Sequence, residues 1–159
     1  MKTSKSFRAF WFFMLIGFIS VYLIMNFAVK LMYIPTSSME PEVKAGSFVL
    51  CNKLAYINGT PQRGDVVVFY SEELHKNLCK RVIGLPGDNI EVEKGVVYIN
   101  GEALKEDYVV FSDDESFETV VVPENAYYFL GDNRPSSYDS RYWTSPCISK
   151  DEILGKVIL

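Results

Sequence analysis

Histidine is nearly absent from this sequence, which limits the chemistry that the chain can perform. His75 is the only histidine among 159 residues, and it lies in the polar stretch SEELHKN, which predicts an exposed loop and not an acid–base site. Cys51, Cys79 and Cys147 form no C-x-x-C pair, so a zinc site is hard to build from these residues. In an exported domain three cysteines leave at least one unpaired, and small buried hydrophobic side chains explain them at least as well as a disulfide.

Common hydrolase signatures and nucleic-acid-binding patterns are also missing. The sequence contains no G-x-S-x-G, S-x-x-K or H-E-x-x-H motif. Its 20 acidic residues outnumber its 16 Lys and Arg residues, and there is no basic run and no interleaving of aromatic and basic residues, which argues against nucleic acid as a partner. A serine hydrolase built from this chain must therefore use a base other than histidine, and lysine is the remaining choice.

One long apolar run is present near the N-terminus. From Ala9 to Val29 the chain reads AFWFFMLIGFISVYLIMNFAV without a charged residue, and about 20 such residues cross the hydrocarbon core as a helix. The run exceeds the ~7–15 apolar residues of a cleavable signal peptide, and a buried core helix is excluded by its length and its apolar residues on every face, so we interpret it as an uncleaved anchor. Lys2, Lys5 and Arg8 precede it, which predicts a cytoplasmic N-terminus. The predicted division is a cytoplasmic segment 1–8, a transmembrane anchor 9–30 and an extracytoplasmic domain 31–159.

The residues after the anchor have the pattern of β-structure. Gly64–Tyr70 and Glu118–Pro123 are short β-branched runs bounded by turn-forming residues. Asn89–Leu104 reads as strands separated by two-residue turns at Lys94-Gly95 and Asn100-Gly101. Because no helical period of useful length follows the anchor, the sequence predicts an all-β domain of antiparallel sheets preceded by one transmembrane helix.

The acidic stretch SDDES, Ser112–Ser116, interrupts this β pattern. It contains no apolar residue that a core could bury. We interpret it as a solvated loop without a chemical role.

Three consecutive hydroxyl side chains follow the anchor in the stretch IPTSSMEP, Ile34–Pro41. Pro35 and Pro41 fix their own φ angles and disfavour helix in the residue before each of them. The pattern therefore predicts an extended segment that holds the hydroxyls at a constant height above the membrane.

A lysine in an apolar setting supplies a candidate base. In NLCKRVIGLPGD, Asn77–Asp88, Lys80 and Arg81 are adjacent, and on a strand each of them shares its face with apolar residues two positions away. Periodicity alone does not say which cation is buried. A desolvated lysine amine has a lowered pKa and can act as a base, whereas a guanidinium cannot give up its proton.

Four separated blocks together resemble the type I signal peptidases, the membrane-anchored Ser/Lys endopeptidases, in a short Gram-positive-like form. The resemblance covers nearly the whole chain, and the blocks stand in the family's order. They are PTSSMEP after the anchor, RGDVVVF at Arg63–Phe69, KRVIGLPGD at Lys80–Asp88 and GDNRPSSYDSR at Gly131–Arg141.

The resemblance implies a role for particular residues of these blocks. The serine before methionine, Ser38, corresponds to the family's nucleophile, and Lys80 corresponds to its general base. Thr36 stands where the family supplies a side-chain hydroxyl to the oxyanion hole beside the nucleophile's own amide, although serine is commoner there. Ser137 corresponds to the serine that orients the lysine, and Ser37 has no assigned role.

The last block also implies structural support. Asp132, Asn133 and Arg134 match the family's scaffold residues, and Asp139 with Arg141 matches its supporting ion pair. One departure is the stretch PEVKAGS after the nucleophile, which differs from the usual family pattern and leaves the neighbouring strand in doubt.

The function implied by the resemblance is cleavage of signal peptides from exported precursor proteins after small residues, at small-x-small sites. The partners would be those precursors and the lipid bilayer, with neither a cofactor nor a metal required. Two alternatives are a membrane-tethered binding module without catalysis and a self-cleaving Ser/Lys protease of the repressor type. The second should carry a DNA-binding helical segment, and the transmembrane N-terminus argues against it.

Overall fold

A single long helix opens the chain. The structure, a computed structural model, describes residues 5–159, and Lys2 of the cytoplasmic segment lies outside the described residues. Helix α1 (Lys5–Leu23) continues into a π-helical turn at Ile24–Ala28, and the stretch Ser6–Ala28 is long and apolar enough to cross a membrane. Val29 and Lys30, which the sequence assigned to the anchor, instead begin the first strand.

The rest of the described chain is built from strands. Two short 3₁₀ turns, Arg134–Ser136 and Lys150–Glu152, lie among them. The strands are β1 Val29–Ile34, β2 Ser47–Asn52, β3 Val66–Ser71, β4 Lys76–Gly84, β5 Asn89–Glu93, β6 Val96–Ile99, β7 Glu102–Ala103, β8 Phe117–Val121, β9 Ala126–Leu130, β10 Cys147–Ser149 and β11 Ile153–Ile158.

These strands form two antiparallel sheets in the described residues. The larger sheet has the order β1-β2-β11-β3-β4-β9-β10, and the smaller one has the order β7-β6-β5-β8. The prediction of an all-β domain after one apolar helix is confirmed. The strand that the sequence left in doubt, β2, is regular and pairs with both β1 and β11.

The centre of the larger sheet is buried on both faces. On β3, Val66 and Val68 pack into one apolar cluster, whereas Val67 and Phe69 pack into another on the opposite face. This is why the four residues Val66–Phe69 are apolar without alternating with polar residues. Strand β4 lies beside β3, and the β4 residues from Cys79 to Gly84 are buried as well.

The smaller sheet is shaped by two tight turns. Lys94 and Gly95 join β5 to β6 with φ of 50° and 75°, and Asn100 and Gly101 join β6 to β7 with φ of 53° and 86°. Consecutive positive φ angles belong to the two-residue turn whose twist suits a hairpin, which Asn-Gly and similar pairs favour. Both predicted turns are therefore confirmed.

Candidate active site

Ser38 lies on a turn directly after β1. Ser37 O accepts from Glu40 N at 3.0 Å, and Met39 O accepts from Val43 N at 2.8 Å. The Met39 side chain is completely buried in the apolar cluster beneath, which draws the chain inward at this point. The prediction of an extended segment here is therefore wrong, because burial of Met39 and these hydrogen bonds turn the backbone between the two prolines. Ser38 itself is only 4% exposed.

Lys80 reaches Ser38 from the middle of the larger sheet. It lies on β4 opposite Val67 of β3 and is 3% exposed. Its Nζ lies 2.6 Å from Ser38 Oγ, which is hydrogen-bonding distance. Burial lowers the pKa of the amine to about 8, against the opposing effect of the Asp139 carboxylate.

The neighbouring cation, Arg81, is buried in a different way. Its Nε and Nη2 donate to the two carboxylate oxygens of Asp132 at 2.8 and 2.5 Å, and the guanidinium lies 4.1 Å from the ring centre of Tyr108. Lys80, in contrast, has no carboxylate within ion-pair distance among residues 5–159. Both cations are therefore buried, but only the lysine is left facing a hydroxyl group.

The segment after β9 supports the turn that carries Ser38. Asn133 N donates to Ser38 O at 3.1 Å. Gly131 packs so closely that a Cβ atom on it would lie 2.4 Å from Ser38 O and 2.2 Å from Ser137 Oγ. Only glycine allows this approach, and sequence reasoning did not single out Gly131 although it opens the block GDNRPSS.

Ser137 and Thr36 lie beside the pair in different ways. Ser137 is buried next to Gly131, and its hydroxyl has no hydrogen-bond partner within the described chain. Thr36 Oγ1 lies 3.3 Å from Ser38 Oγ, on the exposed side of the turn. The lysine-orienting role of Ser137 and the oxyanion role of Thr36 remain predictions.

Asp139 and Arg141 form a buried ion pair behind the site. Arg141 Nε and Nη2 donate to the two oxygens of Asp139 at 2.8 and 3.0 Å, and Asp139 also accepts from Gly131 N at 3.0 Å. Arg134 is held by Glu106 Oε1 at 2.5 Å and by Gly131 O at 3.2 Å. The geometry thus links the residues of the last block to each other and to the turn.

The acidic loop is not simply solvated, which corrects the interpretation from sequence. Asp113 Oδ2 accepts from Arg141 Nη1 at 2.7 Å, and both side chains are buried. Glu106, Tyr108 and Asp113 were all missed by sequence reasoning. Each meets its arginine only through the fold, because the partners are 27 or more residues apart in the chain, and no local pattern marks such a contact.

A groove runs past the Ser38–Lys80 pair. Its two sides are consecutive residues of β1 and the following turn (32–36) and consecutive residues of β4 (76–80), with Val68 at its base. Strand β1 is at the edge of the sheet, and β9 pairs with β4 only from Arg81 onward. Two strand edges with free backbone groups therefore face each other across the groove.

The remaining candidates for chemistry are inert or exposed. His75 is an exposed turn residue with φ of 49°, as the sequence predicted. Cys51 and Cys79 are buried free thiols and Cys147 is a half-buried one; burial raises the pKa of Cys79 to about 12. Among the described residues, no three His, Cys, Asp or Glu side chains are grouped to hold a metal.

Comparison with known proteins shows the family of this chain. The model of the family "Signal peptidase, peptidase S26" matches residues 7–159. The chain is 37% identical over 142 residues to the probable signal peptidase I-2 of Synechocystis, which covers 86% of this chain and 64% of that protein, so it spans just under two thirds of that relative's length. It is 31% identical over 160 residues to signal peptidase IB of Staphylococcus aureus, which covers 89% of this chain and 82% of that protein.

A solved structure is similar as well. The crystal structure of a signal peptidase I from Enterococcus faecalis matches with a TM-score of 0.54 and 36% sequence identity, covering 63% of this chain and 97% of the other. The family match over almost the whole chain and the similarity of the fold lead to one assignment. The chain belongs to the signal peptidase family, peptidase S26.

Proposed function

We propose that this chain is a signal peptidase I, a membrane-anchored serine endopeptidase that removes signal peptides from exported precursor proteins. The observation that carries the proposal is the buried contact of Lys80 Nζ with Ser38 Oγ at 2.6 Å. With its pKa lowered to about 8 by burial, a substantial share of the amine is neutral at mildly alkaline pH, which is the state that a general base requires.

The first half of the reaction is acylation of the serine. Neutral Lys80 takes the proton of Ser38 Oγ while that oxygen attacks the scissile carbonyl carbon. The amide of Ser38 and the hydroxyl of Thr36 stabilise the negative charge on the tetrahedral oxygen. Lys80, now protonated, gives its proton to the leaving amine, and the signal peptide stays on Ser38 as an ester.

The second half is hydrolysis of that ester. Lys80 is neutral again after protonating the leaving amine, so it can deprotonate a water molecule that attacks the acyl carbon. When the second tetrahedral intermediate collapses, the bond from the acyl carbon to Ser38 Oγ breaks, protonated Lys80 returns its proton to that oxygen, and the signal peptide leaves with a free carboxylate. Asp139 and the block around Gly131 hold these groups in place throughout.

The groove supports a binding mode for an extended peptide. A substrate strand entering it can form backbone hydrogen bonds with the free edges of β1 and β4, and its alternate side chains then point to one wall. Ile34, Val68 and Cys79, which line that groove, are almost fully buried, so the wall offers shallow apolar pockets. Small residues at two alternate positions before the cut fit such pockets.

The apolar helix supports an anchored location. We propose that residues 9–30 lie in the cell membrane, with segment 1–8 cytoplasmic and the domain 31–159 extracytoplasmic, because Lys2, Lys5 and Arg8 favour the cytoplasmic side. The site follows the end of the helix by ten residues, so it lies near the bilayer surface, where the cleavage site of a membrane-bound precursor emerges.

The direct test is cleavage of a precursor with a small-x-small site by the detergent-solubilised chain. Wild type should release a product that begins directly after the second small residue, as mass spectrometry would show. Ser38→Ala should abolish this, whereas Ser37→Ala, a change of the neighbouring hydroxyl, should leave it nearly intact. Cleavage that survives in Ser38→Ala, or that occurs without regard to small residues, contradicts the proposal.

A further inference from the structure

Arg141 is shared by two carboxylates that come from different parts of the fold. Its guanidinium contacts Asp139 through two hydrogen bonds and Asp113 through a third, and its Nη2 also donates to Arg134 O at 2.9 Å. Its side chain is 1% exposed, and the rings of Phe117 and Tyr142 lie 5.4 and 5.3 Å from the guanidinium. Because the guanidinium is desolvated, both carboxylates are needed to satisfy its donors.

This arginine is one step away from the Ser38–Lys80 pair. Asp139, which it holds, is fully buried and accepts from Gly131 N. Gly131 is in contact with both Ser137 and the backbone of Ser38. A shift of Arg141 would therefore move Asp139 and the backbone that supports the turn of Ser38.

The loop that presents Asp113 is itself fixed. Lys94 N donates to Ser116 Oγ at 2.9 Å, and Gly95 N donates to Glu115 O at 2.8 Å. A Cβ atom on Gly95 would lie 2.0 Å from Asp113 O, so the turn between β5 and β6 packs directly on the loop. The smaller sheet thus places one carboxylate at a defined point behind the site.

We propose that Asp113 is a positioning residue for the Ser38–Lys80 pair, acting through Arg141 and Asp139. This inference rests on the proposed peptidase function and adds to it a residue from the acidic loop. Asp113 does not line the substrate groove, so its effect is on the reaction and not on binding of the peptide.

Removing the charge of Asp113 should change the pKa of Lys80, which can be measured. The charged and titratable groups that act on the Lys80 amine are Asp139, Cys79, Asp132 and Lys76, and Asp139 has the largest effect among them, raising the pKa. Without the charge of Asp113, Arg141 would be balanced by Asp139 alone, and the net field at Lys80 would become more positive. A more positive field favours the neutral amine, so the pKa of Lys80 should fall.

The test compares pH profiles of kcat/KM for the full chain in detergent. Asp113→Asn should move the acid limb to lower pH by about half a unit and lower kcat on the alkaline plateau by about tenfold, with KM little changed. Asp113→Glu keeps the charge and should keep the acid limb near its original position. If the asparagine chain does not fold, Asp113→Ser removes the same charge with a smaller side chain.

The matched control is Asp114→Asn, an exposed residue in the same loop that loses the same charge. It should leave both the acid limb and kcat as in wild type. A wild-type profile in Asp113→Asn, or an equal shift in Asp114→Asn, overturns the inference. Neither result contradicts the proposed peptidase function. That function is contradicted by a different result, cleavage activity that survives in Ser38→Ala.

Discussion

Lys80 and Arg81 are adjacent on β4 and both buried, but they contact different groups. Arg81 is paired with Asp132, so its charge is kept and its role is structural. Lys80 meets the hydroxyl of Ser38 in an equally buried place, so its charge is penalised and not compensated there. Among the described residues, a carboxylate within ion-pair distance is present at Arg81 and absent at Lys80, and this difference decides which of the two buried charges is compensated.

The first prediction concerns the base. Because only the neutral amine can accept a proton, activity should rise with pH up to the pKa of Lys80, about 8, and then level off. Lys80→Met and Lys80→Arg should both abolish peptide cleavage, since neither side chain can take the proton. His75→Ala should have little effect, and a comparable loss in that variant would argue against the Ser/Lys pair.

The second prediction is that Lys80 lowers the stability of the fold. Its pKa is about 8 in the folded chain against an ordinary value of 10.5, so the folded state loses the proton first as the pH rises. Below pH 8 both states hold the proton and the cost is complete; between pH 8 and 10.5 the cost decreases. Lys80→Met should therefore raise the free energy of unfolding by up to about 3 kcal/mol at about pH 6, and by less in alkali.

Urea unfolding in detergent at several pH values would measure this difference. Lys76→Met, a change of an exposed lysine on the same strand, should alter stability by only a few tenths of a kcal/mol. Equal stability of Lys80→Met and wild type at about pH 6 would mean that the amine is better solvated than its burial indicates.

The third prediction concerns Gly131. A methyl group there would meet Ser137 Oγ at 2.2 Å and Ser38 O at 2.4 Å, so Gly131→Ala must push the turn of Ser38 away from Lys80. We expect at least a hundredfold loss of kcat with a smaller loss of stability. Gly59→Ala is the control, because its new methyl would approach only Ala55 O at 3.8 Å. Near-normal kcat in Gly131→Ala would show that the close approach is not needed for the reaction.

At the scale of elements, the three strands nearest the anchor carry an apolar outer face. Tyr33 and Phe48 lie opposite each other on β1 and β2 with ring centres 5.2 Å apart, and Leu31 and Leu50 form the next pair. Ile158 on β11 extends the patch, and all five side chains are exposed. An exposed apolar face next to the proposed membrane anchor is the kind of surface that contacts lipid.

The fourth prediction tests that face in a chain that begins at Val29 and so lacks the helix. Phe48→Glu and Leu50→Glu should each reduce its binding to lipid vesicles several-fold, because a charge at the interface opposes burial of the apolar face. Val121→Glu, on β8 of the smaller sheet, replaces a side chain that is 68% exposed against 65% for Phe48 and should leave vesicle binding unchanged. If all three variants lost vesicle binding equally, the apolar face of β1, β2 and β11 would not be the surface that binds lipid.

At the scale of the whole molecule, the N-terminal apolar helix runs directly into the larger sheet. Lys53 donates through its backbone N to Ala28 O at 2.9 Å and through Nζ to Asn26 O at 3.0 Å, which ties the end of the helix to the residue after β2. Strand β1 starts at Val29 and leads to Ser38. With the helix in the bilayer as proposed, one strand and one turn would set the distance between the bilayer and the site.

The fifth prediction separates the anchor from the chemistry. A chain beginning at Val29 keeps every pair between β1 and β2, so it should fold and cleave a soluble peptide at a rate within a few-fold of the full chain. Its rate on a membrane-bound precursor should fall sharply, because anchoring both molecules in one bilayer raises their effective concentration. An unrelated transmembrane helix of the same orientation in place of residues 1–28 should restore that rate. If it does not, contacts specific to the native helix take part.

Local features of the chain were sufficient to predict much of this protein. The apolar run predicted the helix, the Lys94-Gly95 and Asn100-Gly101 pairs predicted the two turns of the smaller sheet, and the β-branched runs predicted the strands β3 and β8. These predictions succeeded because each depends on residues within a few positions of one another, whose side-chain direction and φ preferences are fixed by their type. The spacing of the four blocks likewise suggested which residues to compare with a known family.

Only the tertiary structure decided how distant residues meet. It showed that burial of Met39 turns the chain at Ser38. It also showed that Arg81 pairs with Asp132, whereas Lys80 contacts the hydroxyl of Ser38. Asp113 pairs with Arg141. These contacts join residues 28 to 51 positions apart, and they depend on the order in which strands are placed in the sheets. The sequence by itself determined the residue types available for catalysis, whereas desolvation and ion pairing, which follow from the packing of distant segments, decided which of them are arranged for it.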